Sequence, residues 1–432
     1  MFIKKLLKSF IENSDKLAIV WQQKNIHYQY LTDKINSILV LFNQKNIIEG
    51  SIVGLEGDFT PNTISIFIAL IKKNCIIVPL NRVNNNNDLI KISEVKFLIS
   101  TNKDDEINIK NLERDSHLSL YEVIKTRKNP GLILFSSGTS GKPKAAVHDL
   151  SLLLKKFEKK TRPVRTINFL LFDHWGGLNT MFHILSNTGV LITTKKRSPD
   201  EICELIDKYK VELLPASPTF LNILLISKAY KKYNLKSLKI ISYGTEPMPK
   251  YTLEKLKTNF PKVKLLQTYG LIELGVMKTR SEKDNSLWVS VGGDGYQTRI
   301  VDNLLEIKAK SAMLGYLNAP SPFTKDGWFM TGDVVLEKGD FIKILGRKTE
   351  IINVGGEKVY PQEIENVIMS MKHVKEVRAY GEKNAIIGNI VCVQVSLIKE
   401  IEKNKFRNEL KIYCKGKLEK YKIPAKVKII SH

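Results

Sequence analysis

Two periodicities alternate along the first 210 positions. Short apolar runs at 17–21, 51–55, 75–80 and 95–100 are separated by longer stretches, 30–44 and 62–72, whose apolar residues recur every three to four positions. The first pattern is that of a strand and the second that of an amphipathic helix. The alternation resumes after Gly131, with strands at 132–135, 167–172 and 189–193 and helices at 151–158, 177–186 and 199–209. Further strands are expected at 213–216, 239–243 and 264–268. Strands alternating with helices predict an α/β fold of largely parallel sheets covered by helices. The Asn/Asp-rich stretch 102–116 is expected as a surface loop or short excursion.

Past Trp328 the texture changes. Strand-like segments 329–336 and 340–345 lead into Gly346-Arg347-Lys348-Thr349, followed by a helix at 361–371, strands at 374–381 and 387–397, and a helix at 403–418. This is an α+β pattern of its own, so two domains are expected, 1–345 and 346–432. The first thirteen residues, MFIKKLLKSFIEN, place apolar side chains at 2, 3, 6, 7, 10 and 11 with lysines between them. That is an amphipathic helix without the continuous apolar core of a signal peptide. Docking onto its own domain is the favoured expectation, with a membrane-surface helix as the alternative.

Composition narrows the picture. The chain has 432 residues, 43% hydrophobic and 26% charged, and a mean hydropathy of −0.15. Those are globular values, and the longest apolar stretch, 64–71, is far short of the ~20 residues of a membrane span. The net charge of +24 is carried mostly by lysines spread along the chain beside abundant Asn and Ile, not by an Arg/aromatic patch, so no nucleic-acid partner is expected. Cys75, Cys203, Cys392 and Cys414 show neither disulfide nor zinc spacing and are expected as buried thiols of a cytoplasmic protein.

The segment with the most chemistry is LFSSGTSGKPKA, 134–145. An apolar strand enters a loop of glycines and hydroxyls, then Pro143 and Lys144. Glycines let backbone N–H groups curl around an anion, hydroxyls add donors and Lys144 adds a full charge. It is not a P-loop, because Pro143 follows Lys142 and a proline cannot supply the N–H that the helix start of that motif needs.

This segment resembles the phosphate-binding loop of the adenylate-forming superfamily, which includes acyl-CoA synthetases, adenylation domains and luciferases. Other segments resemble that family's motifs in its order: 70–81 (LIKKNCIIVPLN), 244–247 (GTEP), 267–273 (QTYGLIE), 328–333 (WFMTGD) and 346–365. The resemblance implies a large N-terminal domain and a small, mobile C-terminal one. It implies that Ser136, Ser137, Gly138, Thr139, Ser140, Gly141 and Lys144 hold the phosphates of ATP. Gly244, Thr245, Glu246 and Pro247 are implied on the adenine side, together with Gln267, Thr268, Tyr269 and Gly270, with Tyr269 against the ring. Asp333 and Arg347 are implied as ribose ligands, and Glu273 as the Mg²⁺ ligand. For the acyl pocket it implies His174 as a wall residue, with Asp173 beside it as an alternative that would pair with a substrate amine; Gly176 and Gly177 are expected to leave room for an acyl chain.

The function implied is activation of a small carboxylic acid as its acyl-AMP, then transfer to a thiol: CoA, or the phosphopantetheine arm of an acyl carrier protein. The tail would rotate between the steps about Thr349, with Gly355 and Gly356 lining the pantetheine path. Two departures bear on activity. Ile272 stands where the family usually has Thr or Ser, and the Gly-Lys motif expected beyond 421–432 does not follow. Both predict reduced turnover, with a non-catalytic nucleotide-binding protein as the alternative.

Overall fold

The computed structural model describes residues 2–82, 85–136, 142–194, 196–283, 286–384 and 387–430. Among them the strands form four sheets, three of seven strands and one of five. The first runs Lys264–Gln267, Ile240–Tyr243, Leu213–Ala216, Arg165–Ile167, Val190–Ile192, Leu17–Trp21, Lys24–His27, parallel except for its last pair. The second runs Gly315–Tyr316, Lys144–Asp149, Gly131–Ser136, Ile76–Asn81, Ile52–Gly57, Phe97–Thr101, Ile107–Asn111. Its four central strands are parallel and its flanking pairs antiparallel. The excursion at 102–116 thus supplies an exposed edge strand, Ile107–Asn111.

Between these sheets lies the largest apolar cluster. Its axis is the helix Pro61–Lys72, buried from Pro61 to Ile71. The helix starts where its sequence says it should: Thr60 accepts a hydrogen bond from Thr63 N, and Pro61 takes the first turn, where no N–H is needed. Ser198-Pro199 and Ser217-Pro218 open two further helices in the same way. The N-terminal helix Phe2–Glu12 docks here too: Phe2 packs against Phe157 and Phe182, Phe10 against Tyr28, and the lysines face outward.

The third sheet differs from the expected parallel pattern. Strands Tyr269–Leu271, Gly275–Ser281, Val289–Gly292, Phe341–Arg347, Phe329–Lys338, Leu304–Ala309 and Tyr296–Val301 are all antiparallel. Several of its connections are short hairpins with no room for a crossover helix, which dictates antiparallel pairing. Residues 352–430 carry the fourth sheet, two helices and a separate apolar cluster around Val359, Ile364, Val393 and Phe406. Asn222, on helix Pro218–Ser227, reaches this part of the chain, donating from Nδ2 to Lys375 O at 2.7 Å. Lys250 N donates to Asn366 Oδ1 at 3.1 Å.

One expected strand is mostly lost. The run 167–172 is apolar, yet pairing stops at Ile167. Phe169 turns onto Phe220 (4.4 Å between ring centroids) and Phe172 onto Phe59 (5.3 Å), so burial is achieved without sheet hydrogen bonds.

Candidate active site

The hairpin Gly131–Ser136/Lys144–Asp149 sets Ser136 directly opposite Lys144. Ser137, Gly138, Thr139, Ser140 and Gly141 lie outside the described residues. Asn318 clamps the returning strand, donating to Pro143 O at 2.9 Å and accepting from Ala145 N at 3.0 Å. Lys144 Nζ sits over the ring of Tyr316, 5.6 Å from its centroid. Tyr316 OH donates to Glu273 Oε1 at 2.5 Å, and Ser136 is a second side-chain neighbour of that hydroxyl.

Glu273 is 8% exposed and lies on the turn between Tyr269–Leu271 and Gly275–Ser281. Its main chain is held as well, because Glu273 O accepts from Met313 N at 2.8 Å. A few residues on, Tyr316 pairs with Ala146. The segment 313–316 therefore carries the chain from the third sheet to the second and ties Glu273 to Lys144. Tyr316 was not among the residues expected from the sequence. The only sequence signal is Gly315-Tyr316, too short to register as a strand.

A second cluster sits beside the first. Asp333 and Arg347 are cross-strand partners, with Arg347 Nε 3.5 Å from Asp333 Oδ1. Tyr269 OH donates to Asp333 Oδ2 at 2.5 Å. Burial pushes the Asp333 carboxyl above its ordinary range, against the opposing pull of the Tyr269 hydrogen bond and the Arg347 charge. Burial, then the Asp333 charge, pushes the Tyr269 phenol well above its usual value, so it remains a neutral donor. The clusters feel each other: the Glu273 charge also raises Asp333, and Arg347 acts on Tyr316.

The segments 243–247 and 267–270 are stitched together. Thr268 N and Oγ1 both donate to Tyr243 O, at 2.7 and 3.0 Å. A Cβ on Gly244 would lie 2.4 Å from Thr268 Oγ1, so only glycine allows this approach. Thr245 holds a φ of 73°, unfavourable for a β-branched residue. Glu246 accepts from Thr219 N at 2.8 Å at the start of a helix, where a carboxylate is favourable; Pro247 beside it is exposed. Gln267 Oε1 is a buried acceptor with no donor among the described residues. Gly270 is exposed and pairs with Val276.

His174 immediately precedes helix Trp175–Ser186, about half exposed, with Nε2 3.9 Å from Asp173 Oδ1. The two glycines after it do not make space. A Cβ on Gly177 would fall 2.1 Å from Leu171 O, and one on Gly176 2.9 Å from Leu170 Cδ1. Gly177 lets the helix start pack against the preceding backbone, whereas at Gly176 the neighbour is the movable end of the Leu170 side chain. Gly355 and Gly356, with φ of 58° and 92°, form the tight turn between Ile352–Val354 and Glu357–Val359. Ile272 packs against two apolar clusters. All four cysteines are buried and free. Among the described residues no helix is long and apolar enough to cross a membrane.

The profile of the AMP-binding enzymes matches residues 8–317, and that of the AMP-binding enzyme C-terminal domain matches residues 363–432. A mouse mitochondrial medium-chain acyl-CoA ligase is 25% identical over 341 residues, 71% of this chain and 54% of the relative. A 2-succinylbenzoate–CoA ligase of Bacillus pumilus is 23% identical, covering 95% of this chain and 90% of its own length. The chain spans about half the length of several of the curated relatives it matches. An anthranilate CoA ligase in complex with anthranoyl-AMP superposes with a TM-score of 0.85 at 16% identity, over 100% of this chain and 93% of that one. ATP-bound MatB from Rhodopseudomonas palustris gives 0.81 at 21%, over 99% and 95%. These two likenesses speak for the fold: a large N-terminal domain of helix-covered sheets followed by a small α+β domain. By sequence, the chain belongs to the AMP-binding enzyme family.

Proposed function

We propose that the chain joins a carboxylic acid to AMP with release of pyrophosphate and passes the acyl group to a thiol, with CoA as the acceptor. The observation that carries this is a pair of carboxylate clusters: Asp333 with Tyr269 and Arg347, and Glu273 with Tyr316, whose ring Lys144 covers, Tyr269 and Glu273 sharing one strand and turn. In this reading Asp333 accepts hydrogen bonds from the ribose hydroxyls, with Arg347 alongside. Gly244–Pro247 and Gln267–Gly270 flank the adenine, the orphan acceptor Gln267 Oε1 suiting its amino group. Ser136, Ser137, Gly138, Thr139, Ser140, Gly141 and Lys144 take the phosphates. His174 lines the mouth of the acyl pocket, with Asp173 as the choice for an amine-bearing acid. The division at 345/346 makes the tail the moving part, and the free thiols suit a reducing, cytoplasmic setting.

Glu273 fits Mg²⁺. It is a buried carboxylate with one oxygen anchored by Tyr316, and Mg²⁺ is commonly held by one or two carboxylates plus substrate phosphates. The ion would neutralise charge on the phosphate oxygens, while Lys144 and the loop orient them for in-line attack by the substrate carboxylate.

The test is pyrophosphate release by the chain against fatty, aryl and amino acids, followed by transfer of the product to CoA or to a carrier protein. Transfer to a carrier but not to CoA would reassign the acceptor. ATP binding without turnover of any acid would overturn the enzyme and leave a nucleotide-binding protein, the second reading. That reading is favoured by Ile272, a hydrocarbon side chain committed to the core where a hydroxyl would face the α-phosphate.

A further inference from the structure

The contacts of Tyr316 point to a role beyond filling space. Lys144 and Glu273 carry opposite charges at the edge of a buried site, where ε is low and unlike charges collapse onto each other. An ion pair between them would disable both groups: the ammonium would lose its freedom to meet phosphate, and the carboxylate its freedom to meet a cation. In the structure the phenol of Tyr316 contacts both. Its hydroxyl takes Glu273 Oε1 at 2.5 Å, and its face takes Lys144 Nζ at 5.6 Å from the ring centroid. A ring face attracts a cation weakly and without neutralising it, so Lys144 is seated but remains available. The hydroxyl occupies one carboxylate oxygen and orients the other.

Tyr316 is itself rigidly placed. It pairs with Ala146, two residues beyond Lys144, and its neighbours hold the same strand: Leu314 N donates to Val147 O at 2.7 Å and Leu317 N to Ala145 O at 2.9 Å. The strand that carries Lys144 therefore carries, through its partner, the tyrosine that contacts both Lys144 and Glu273.

We propose that Tyr316 is a positioning residue that insulates Lys144 from Glu273, keeping Glu273 Oε2 free for a divalent cation and Lys144 free for phosphate. This rests on the proposed ATP site. It separates two jobs within one side chain: the hydroxyl serves the cation, and the ring serves the lysine.

The experiment is calorimetric binding of ATP to the full chain, with and without Mg²⁺, with circular dichroism confirming that each variant is folded. Tyr316→Phe keeps the ring and loses the hydroxyl. The Mg²⁺ concentration for half-maximal enhancement of ATP binding should rise on the order of 10-fold, the usual worth of a hydrogen bond to a charged group. Tyr316→Leu loses both, so metal-free ATP affinity should also fall on the order of 10-fold as Lys144 pairs with Glu273. Glu273→Gln in the Tyr316→Leu background should restore metal-free affinity, because the competing charge is gone. A merely structural role for Tyr316 would not produce that rescue. A Mg²⁺ requirement unchanged in Tyr316→Phe, or no rescue by Glu273→Gln, overturns the inference while leaving the ATP site standing. Failure of the unaltered chain to bind ATP overturns the ATP site and the inference together.

Discussion

Two tyrosine–carboxylate pairs stand side by side in this molecule, each with its own cation, and they are built differently. Tyr269, Asp333 and Arg347 all belong to the antiparallel third sheet, where Asp333 and Arg347 face each other in register. Both oxygens of Asp333 are engaged, Oδ2 by Tyr269 and Oδ1 by Arg347. In the other pair, Glu273 comes from the third sheet, while Tyr316, Lys144 and Ser136 come from the second. One oxygen of Glu273 is engaged, and the lysine rests on the ring. The difference suits the proposed ligands: a ribose would need a rigidly held carboxylate with lone pairs to spare on each oxygen, whereas a metal–phosphate group would need a carboxylate and an ammonium kept apart.

The strongest way to break this comparison is Asp333→Ala. It removes the acceptor for two ribose hydroxyls and leaves the buried Tyr269 hydroxyl without its partner. Charged hydrogen bonds contribute ~1.5–3 kcal/mol each, so ATP affinity measured by calorimetry should fall roughly 100-fold or more. A loss under 5-fold would place the ribose elsewhere.

A second effect of similar size separates the two regions by pH. His148 lies on the strand that pairs with Tyr316, wholly buried, with neither ring nitrogen in a hydrogen bond among the described residues. Burial holds its pKa at about 4, against an ordinary 6.5. The folded protein thus binds this proton less tightly than the unfolded chain. The stability linked to it is complete above pH 6.5 and is lost as the pH falls through 4, about 3 kcal/mol in all. Urea unfolding at pH 7 and pH 4.5 should show the loss, and His148→Leu should reduce it. An identical pH dependence in the two proteins would rule out the buried neutral imidazole as its source.

Tyr269→Phe probes the saturated pair more gently. It leaves Asp333 buried with one oxygen unmet, and the unfolding free energy should drop by roughly 1–3 kcal/mol. A drop no larger than that of a surface substitution would mean that Asp333 has found another donor.

The smallest effect is expected from Ile272→Thr. Loss of packing against two clusters should cost about 1 kcal/mol of stability. If the hydroxyl reaches the α-phosphate, pyrophosphate release should rise roughly 10-fold or more for that one donor. A faster variant favours the impaired-enzyme reading, and an unchanged rate removes Ile272 from the account.

Part of the candidate site was legible in the sequence. Lys144 follows a glycine–hydroxyl loop whose composition carries its own meaning, whereas Glu273, Asp333 and Arg347 were marked only by resemblance to the motifs of the adenylate-forming superfamily. The helices at 62–72 and 199–209 were legible from periodicity, and the Thr60-Pro61 and Ser198-Pro199 caps that start them act within one turn; the helix Pro218–Ser227 was not expected. Tyr316 was not legible, since its importance lies in partners far away in the sequence. Gly176 and Gly177 were expected to leave space, whereas Gly177 is needed for close backbone packing, and nothing in a one-dimensional pattern separates these two uses of glycine.

The sequence by itself determined the alternation of strands and helices through residue 210, the change of texture past Trp328, the amphipathic first helix and the order of the chemical motifs. These follow from periodicity and from short-range sterics, both of which are properties of neighbouring residues. Only the tertiary structure decided that the third sheet is antiparallel, that the run after Ile167 leaves its sheet, and that each key carboxylate is held by a tyrosine. A buried polar group must find a partner wherever the folded chain supplies one, and that partner is set by packing across sheets.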